Sequence, residues 1–158
     1  MTERKEKLFF IGTKGLIQNE KGEILLLKAD VANHRMNTEE YWDIPGGRIE
    51  HGYDEMQTLA KELEEETGLA LPNGCTLLDT VFSNHEIPLY EGGMAGLVLR
   101  IWRVPITGEV KVKLSFEHTE YDWFTPSTAA EHLAQIPARI LRSNSKNRYC
   151  PLSITGIH

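Results

Sequence analysis

Apolar positions along the chain follow two different periods, and the change between them divides the sequence into elements. From residue 8 the run Leu8-Phe9-Phe10-Ile11, continued by Leu16-Ile17, predicts a strand over 8–18, closed by the turn Asn19-Glu20-Lys21-Gly22. Glu23–Ala29 carries four consecutive apolar residues, Ile24 to Leu27, and reads as a strand buried on both faces. Residues 30–40 are polar and read as a loop; Tyr41–Ile44 is a short strand entering the turn Pro45-Gly46-Gly47. The period then switches to that of a helix. Met56, Leu59, Ala60, Leu63 and Thr67 form one stripe, with Asp54 as N-cap and Gly68 just past the end, so the helix covers about 54–67. Residues 75–87 look extended, 97–104 form a second strongly apolar strand, 109–114 a short alternating one, and 120–124 a last one before Thr125-Pro126. Ser127 is the expected cap of a helix over 128–134, and Pro137 opens another through about 143. Strands interleaved with helices, without repeats or a low-complexity linker, predict an α/β fold with a mixed sheet covered by helices.

A second stripe on the 54–67 helix changes the picture. Glu62, Glu65 and Glu66 fall within about a third of the helix circumference, about 110° from the apolar stripe, with Glu55 and Thr58 on the same side. Glu64 points away from both stripes. Negative charge is least favourable near a helix C-terminus. Glu62 and Glu66 are like charges at i, i+4, at a cost of ~0.2–0.5 kcal/mol. A chain that breaks a local rule without visible compensation often does so at a functional site. Three carboxylates on adjacent turns suit Mg²⁺ or Mn²⁺, which prefer hard oxygen ligands. Gly46 and Gly47, without side chains, let backbone approach an ion or phosphate and offer it a carbonyl.

Composition sets limits on the partner. The 158 residues are 41% hydrophobic and 25% charged, ordinary for one domain with a real core, expected to span residues 1–158. Net charge is −6 and there is no basic run, which excludes long nucleic acid as a natural partner. A small polyphosphate still binds an acidic site when metal ions bridge the two. No apolar run approaches the ~18 residues of a membrane span, and Leu8–Ile11 is too short for a signal peptide. Cys75 and Cys150 are isolated, so a reducing cytoplasmic setting is expected.

The segment from Gly47 to Leu69 resembles the Nudix box, G-x5-E-x7-R-E-U-x-E-E-x-G-U, with U bulky and aliphatic. Gly47, Glu62, Leu63, Glu65, Glu66, Gly68 and Leu69 stand in register, and Trp42-Asp43-Ile44-Pro45-Gly46 looks like the usual lead-in. The resemblance in box and strand order runs over about residues 7–135. It implies an α/β/α sandwich with a mixed sheet, a MutT-like hydrolase, and Mg²⁺ (or Mn²⁺) held by Glu62, Glu65 and Glu66 with a carbonyl of Gly46 or Gly47. Two positions depart: Tyr53 replaces the pattern's Glu and Lys61 its Arg. That Arg orients a metal-binding Glu, and a lysine in its place keeps the charge but makes no bidentate contact. Glu50 and Asp54 are the acids nearest the missing one. Glu117, six residues before Trp123, corresponds to a loop acid that in several relatives contacts metal or acts as general base; Glu120 is a weaker candidate.

Beyond the box, Arg48, Arg35 and Arg100 are candidates for phosphate contacts, Arg48 foremost because it follows the glycine pair. Phe82, Tyr90, Trp102 and Trp123 are able to stack a base, although Phe82 and Trp123 read more simply as core. His85 and His118 read as surface loop residues. Arg139 stands where guanine-reading relatives tend to place Asn, which argues against a dedicated 8-oxoguanine site. The expected function is metal-dependent hydrolysis of a phosphoanhydride in a nucleoside diphosphate linked to another moiety, as in a nucleoside triphosphate, nucleotide sugar or dinucleotide. The alternative is a nucleotide-binding module weakened as a catalyst. The expected partner is a small nucleotide, with no membrane; a homodimer is implied only by the habit of relatives.

Overall fold

The unbroken apolar run at 24–27 lies at the centre of the sheet and faces a helix layer on each side. The computed structural model describes residues 4–30, 40–133 and 136–142. Its elements are β1 (Phe9–Gln18), β2 (Ile24–Ala29), β3 (Trp42–Asp43), β4 (Gly46–Arg48), α1 (Glu55–Thr67), β5 (Thr76–Pro88), β6 (Met94–Pro105), β7 (His118–Phe124), α2 (Pro126–His132) and α3 (Ala138–Arg142). The strands form one mixed sheet in the order β3-β2-β1-β6-β5, with β4 paired to β1 and β7 to β2. The β1–β6 pair is parallel and the remaining pairs are antiparallel.

Alternation along β2 separates two cores. Ile24 and Leu26 join Leu16, Leu99 and Ile101 beneath α2 and α3, whose Ala129, Ile140 and Leu141 close that side. Leu25 and Leu27 join Ile17 and Val104 beneath Leu59 and Leu63 of α1. Gly15 lets α1 settle closely, since a Cβ there would meet Leu59, Leu63 and Val104 at 3.2–3.3 Å. The α/β/α sandwich expected from the sequence is therefore the fold. Among the described residues, no helix is long and apolar enough to cross a membrane.

Helix α1 begins and ends where its sequence dictates. Asp54 accepts from the Gln57 N–H at 2.8 Å while the Gln57 side chain accepts from the Asp54 N–H at 2.9 Å, a reciprocal capping box. Gly68 adopts φ 73° and donates to Glu64 O. Three expectations change. Residues 46–48 are more than a turn: they add a short strand to β1. Residues 109–114 form no strand, because the Lys113 N–H goes to Thr67 O at 2.8 Å and the segment packs Val112 and Leu114 beside α1. Helix α2 starts earlier than expected and is capped by Thr125, with Pro126 in its first turn, instead of by Ser127. Arg35 and Cys150 lie outside the described residues.

Candidate active site

Strand β4 carries the glycine pair along β1, with Lys14 opposite Gly46 and Gly12 opposite Arg48. The C-terminal half of α1 lies beside it, and together they wall a cleft of about 1050 Å³. Lys14, Asp43, Gly46, Gly47, Glu62, Glu66, Glu117 and His118 line its acidic part. Phe9, Phe10, Ile11, Arg48 and Tyr53 line the rest. Along β1, Phe10 and Lys14 are four residues apart, roughly 13 Å at ~3.3 Å per residue.

The glycines fit the carboxylates closely. The Gly46 N–H donates to Glu66 Oε2 at 2.8 Å. Any side chain at 46 would collide with the Thr13 carbonyl, and a Cβ at 47 would stand 2.6 Å from Glu62 Oε1. Glu66 is only 7% exposed. Burial pushes its carboxyl up to about 8, helped by the like charges of Glu62 and Asp43; Lys14 and the Gly46 N–H offset only part of this. Burial likewise raises Glu62, with Glu65, Glu117 and Glu50 adding to it and Lys61 opposing. Lys14 donates to Asp43 Oδ2 at 2.8 Å and to the Ile44 carbonyl at 3.2 Å. Burial works against the charge on this lysine, but Asp43, through its charge and its hydrogen bond, with Glu66 adding to it, outweighs burial, so Lys14 is held above its ordinary value.

The loop before β7 completes the cluster. Ligand atoms of Glu66, Glu117 and His118 lie within 4.8 Å of one another, with His118 Nε2 4.0 Å from Glu66 Oε1. This donor set fits a divalent cation: hard oxygens, an imidazole, and a buried carboxyl that stays protonated at neutrality unless positive charge replaces the proton. Glu62, against Gly47, faces the same cleft.

The remaining candidates are distributed more widely than their spacing suggested. Glu65 is exposed and does not line the cleft. Lys61 contacts no box carboxylate; its Nζ lies 3.8 Å from Glu50 Oε2 and 5.1 Å from the centroid of the Tyr53 ring. Asp54 is committed to its cap, whereas Glu50 lines the cleft. Arg48 lines the cleft with its guanidinium over Phe10, 5.1 Å from the ring centroid. Arg100 is outside it: Nε and Nη2 hold the two Glu55 oxygens at 2.7 and 3.3 Å, which leaves no fork for phosphate. Trp102 donates to the same Glu55 at 2.8 Å. Glu120 pairs with Lys28 and Arg139 with Asp79, both away from the cleft. Trp123 packs against the α1-side core, but Phe82, expected inside, is 69% exposed and meets Phe9 edge-on at 5.6 Å. Lys14, Asp43 and His118 are the site residues that spacing along the chain did not single out. His118, read as a surface residue, is brought inside by pairing with Ala29 of β2.

Known proteins match the chain over most of its described length. Residues 9–143 match the model of the NUDIX domain. A stretch of 93 residues is 28% identical to an 8-oxo-dGTP diphosphatase of Proteus vulgaris, covering 59% of this chain and 78% of that one. Another, of 94 residues, is 35% identical to an octanoyltransferase of Myxococcus xanthus; it covers 59% of this chain and only 25% of that much longer relative. Among solved structures, the MutT protein from Methanosarcina mazei Go1 superposes with a TM-score of 0.67 at 28% identity, over 87% of this chain and 94% of that one. The chain belongs to the NUDIX domain family, as a MutT-like Nudix hydrolase.

Proposed function

We propose that the protein acts in the cytosol as a metal-dependent pyrophosphohydrolase, cleaving a phosphoanhydride in a small nucleoside diphosphate linked to another moiety. The observation that carries this reading is the Glu66 carboxyl, buried at 7% exposure and raised to about 8 beside Glu62, Glu117 and His118. A structural carboxylate would have its charge matched; here Lys14 and the Gly46 N–H offset only part of what burial and the neighbouring acids cost it. Glu62, Glu66, Glu117 and His118 would hold Mg²⁺ or Mn²⁺, and Gly46 or Gly47 would add a carbonyl. Divalent ions bound there supply neutralisation of phosphate charge and acidify a water.

The chain's own residues do the rest. The Gly46 N–H fixes one Glu66 oxygen and leaves the other for a ligand. Lys14, anchored by Asp43, keeps a positive charge under the acidic cluster. Glu117 takes the proton from the water that attacks phosphorus in line, and the anhydride oxygen on the far side leaves with its phosphate. Arg48, stacked on Phe10, meets phosphate oxygens as a planar donor. The aromatic and aliphatic side chains at the start of β1 support a nucleoside over a bare polyphosphate. Phe9 and Ile11 are 42% and 48% exposed beside the cleft, more apolar surface than a pyrophosphate needs.

Nucleoside triphosphates, nucleotide sugars and dinucleoside polyphosphates, each incubated with Mg²⁺ or Mn²⁺ and assayed for released monophosphate and pyrophosphate, test the reading. Turnover of at least one class, abolished by a chelator, is the expected result. Metal-dependent binding by calorimetry with no product from any class would replace the hydrolase with a binding module.

A further inference from the structure

The two positions at which α1 and its lead-in depart from the family pattern meet in space. Lys61 Nζ stands over the ring of Tyr53, 5.1 Å from its centroid, and 3.8 Å from Glu50 Oε2. Helical side chains lean toward the helix N-terminus, so a lysine at 61 reaches back to the loop that precedes the cap. That loop is fixed. The Tyr53 N–H donates to Glu50 O at 3.2 Å, and Asp54 is bound into the capping box. In the other direction lie Glu62, next in sequence, and Glu65, one turn on, both near enough to act on the ammonium electrostatically. Neither makes an ion pair with it among the described residues, where Glu50 does. A lysine has a compact charge on a flexible stem and takes whichever partner is held in place for it.

We propose that the Tyr53 ring and the Glu50 carboxylate hold the Lys61 ammonium away from Glu62 and Glu65, so that Glu62 stays open to a divalent cation. Tyr53 is then a positioning residue. It attracts the ammonium through its ring face and adds no further charge to a crowded acidic cleft, which a glutamate at 53 would do. The two departures thus compensate one another. This inference rests on the metal-site reading above.

Mn²⁺ binding, followed by the electron paramagnetic resonance signal of the free ion, tests it without reference to turnover. Tyr53→Leu releases the lysine onto Glu62 and Glu65 and weakens Mn²⁺ binding about two- to fivefold, the scale of one exposed cation–π contact. Tyr53→Phe keeps the ring and binds as the wild type does. Lys61→Met binds at least as tightly as wild type, and added to Tyr53→Leu it restores the affinity. A loss that merely reflected loop packing would persist in the double variant; that persistence, or no loss in Tyr53→Leu, overturns the proposal. If Tyr53→Leu melts before the measurement, Glu50→Gln carries the same expectation of a loss suppressed by Lys61→Met. Wild-type protein that binds no Mn²⁺ sinks the metal reading itself; Mn²⁺ binding indifferent to residue 53 sinks only this one.

Discussion

Glu55 and Glu66 lie on the same helix and belong to the same acidic side of it, yet they are opposites. Glu55 sits in the first turn, where the helix dipole favours a carboxylate. It receives the Arg100 guanidinium at 2.7 and 3.3 Å and the Trp102 N–H at 2.8 Å. Burial works to raise it, but those donors win and its carboxyl is held below the ordinary value. Glu66 sits in the last turn, where the dipole opposes it, receives one backbone N–H, and is pushed up to about 8. The first carboxylate is complete as the chain folds. The second is left under-compensated, because Lys14 and one backbone N–H do not balance its burial, and further positive charge in the cleft would complete it. Residue type and helical face do not distinguish them; their donors do.

The sharpest way to break this contrast is to neutralise each acid in turn. Glu62→Gln and Glu66→Gln are expected to keep the fold and to lower turnover by at least ~10², since preorganised charge at the reacting phosphate is the largest catalytic term available here. Circular dichroism and a phosphate-release assay with Mg²⁺ measure the two separately. Turnover of either variant within a factor of two of wild type would remove that residue from the site.

Gly47→Ala comes next. Its Cβ would stand 2.6 Å from Glu62 Oε1, and only the end of that side chain has to move. Stability should change by less than about 1 kcal/mol, whereas turnover falls roughly tenfold as Glu62 is displaced from its working position. Unchanged kcat with a lowered melting temperature would mean that Gly47 serves packing alone.

The same contrast shows why part of the site was legible before folding and part was not. Helix α1 announced itself because its signals are local: Asp54, Gly68 and a 3.6-residue period fix its ends and its buried side, and the acids out of place at its C-terminus marked the cleft. Lys14, Asp43 and His118 gave no such signal. Each stands in a strand whose local pattern concerns only the sheet, and they meet through the β1–β4, β2–β3 and β2–β7 pairings, which no short window contains. Arg100 misled for the converse reason. An arginine in a strand reads as free for phosphate, but its partner Glu55 is 45 residues away in sequence. Phe82 lies near the end of the sheet bearing Phe9, on a strand that among the described residues pairs only to β6, so a residue type that usually packs stays exposed.

Proton linkage gives a gentler test of the same idea. In metal-free protein Glu66 keeps its proton up to about pH 8, whereas in the unfolded chain it ionises near 4.5. Between those values the folded state binds more protons than the unfolded one, so this group makes stability fall as pH rises, by at most about 1.4 kcal/mol per unit. A divalent cation that takes the proton's place removes the penalty. The rise in melting temperature on adding Mg²⁺ or Mn²⁺ should therefore grow from pH 6 to pH 8.5, and Glu66→Gln should flatten that dependence. A metal-induced shift independent of pH over this range would show that Glu66 is not where the cation binds.

The smallest effect is expected at the satisfied carboxylate. Arg100→Met keeps the length of the side chain and removes the fork that holds Glu55, leaving Trp102 as its donor. Both partners are a quarter to a third exposed, at 32% and 25%, so water screens the lost charge, and the cost should be about 1 kcal/mol, well below that of a fully buried pair. The loss should shrink as pH falls through the depressed Glu55 titration, because a protonated Glu55 no longer needs the guanidinium. KM for a nucleotide substrate should stay at the wild-type value, since the arginine lies outside the cleft. A tenfold rise in KM without loss of stability would move Arg100 from the scaffold to the substrate, and the distinction between the two ends of α1 would fail at its better-satisfied end.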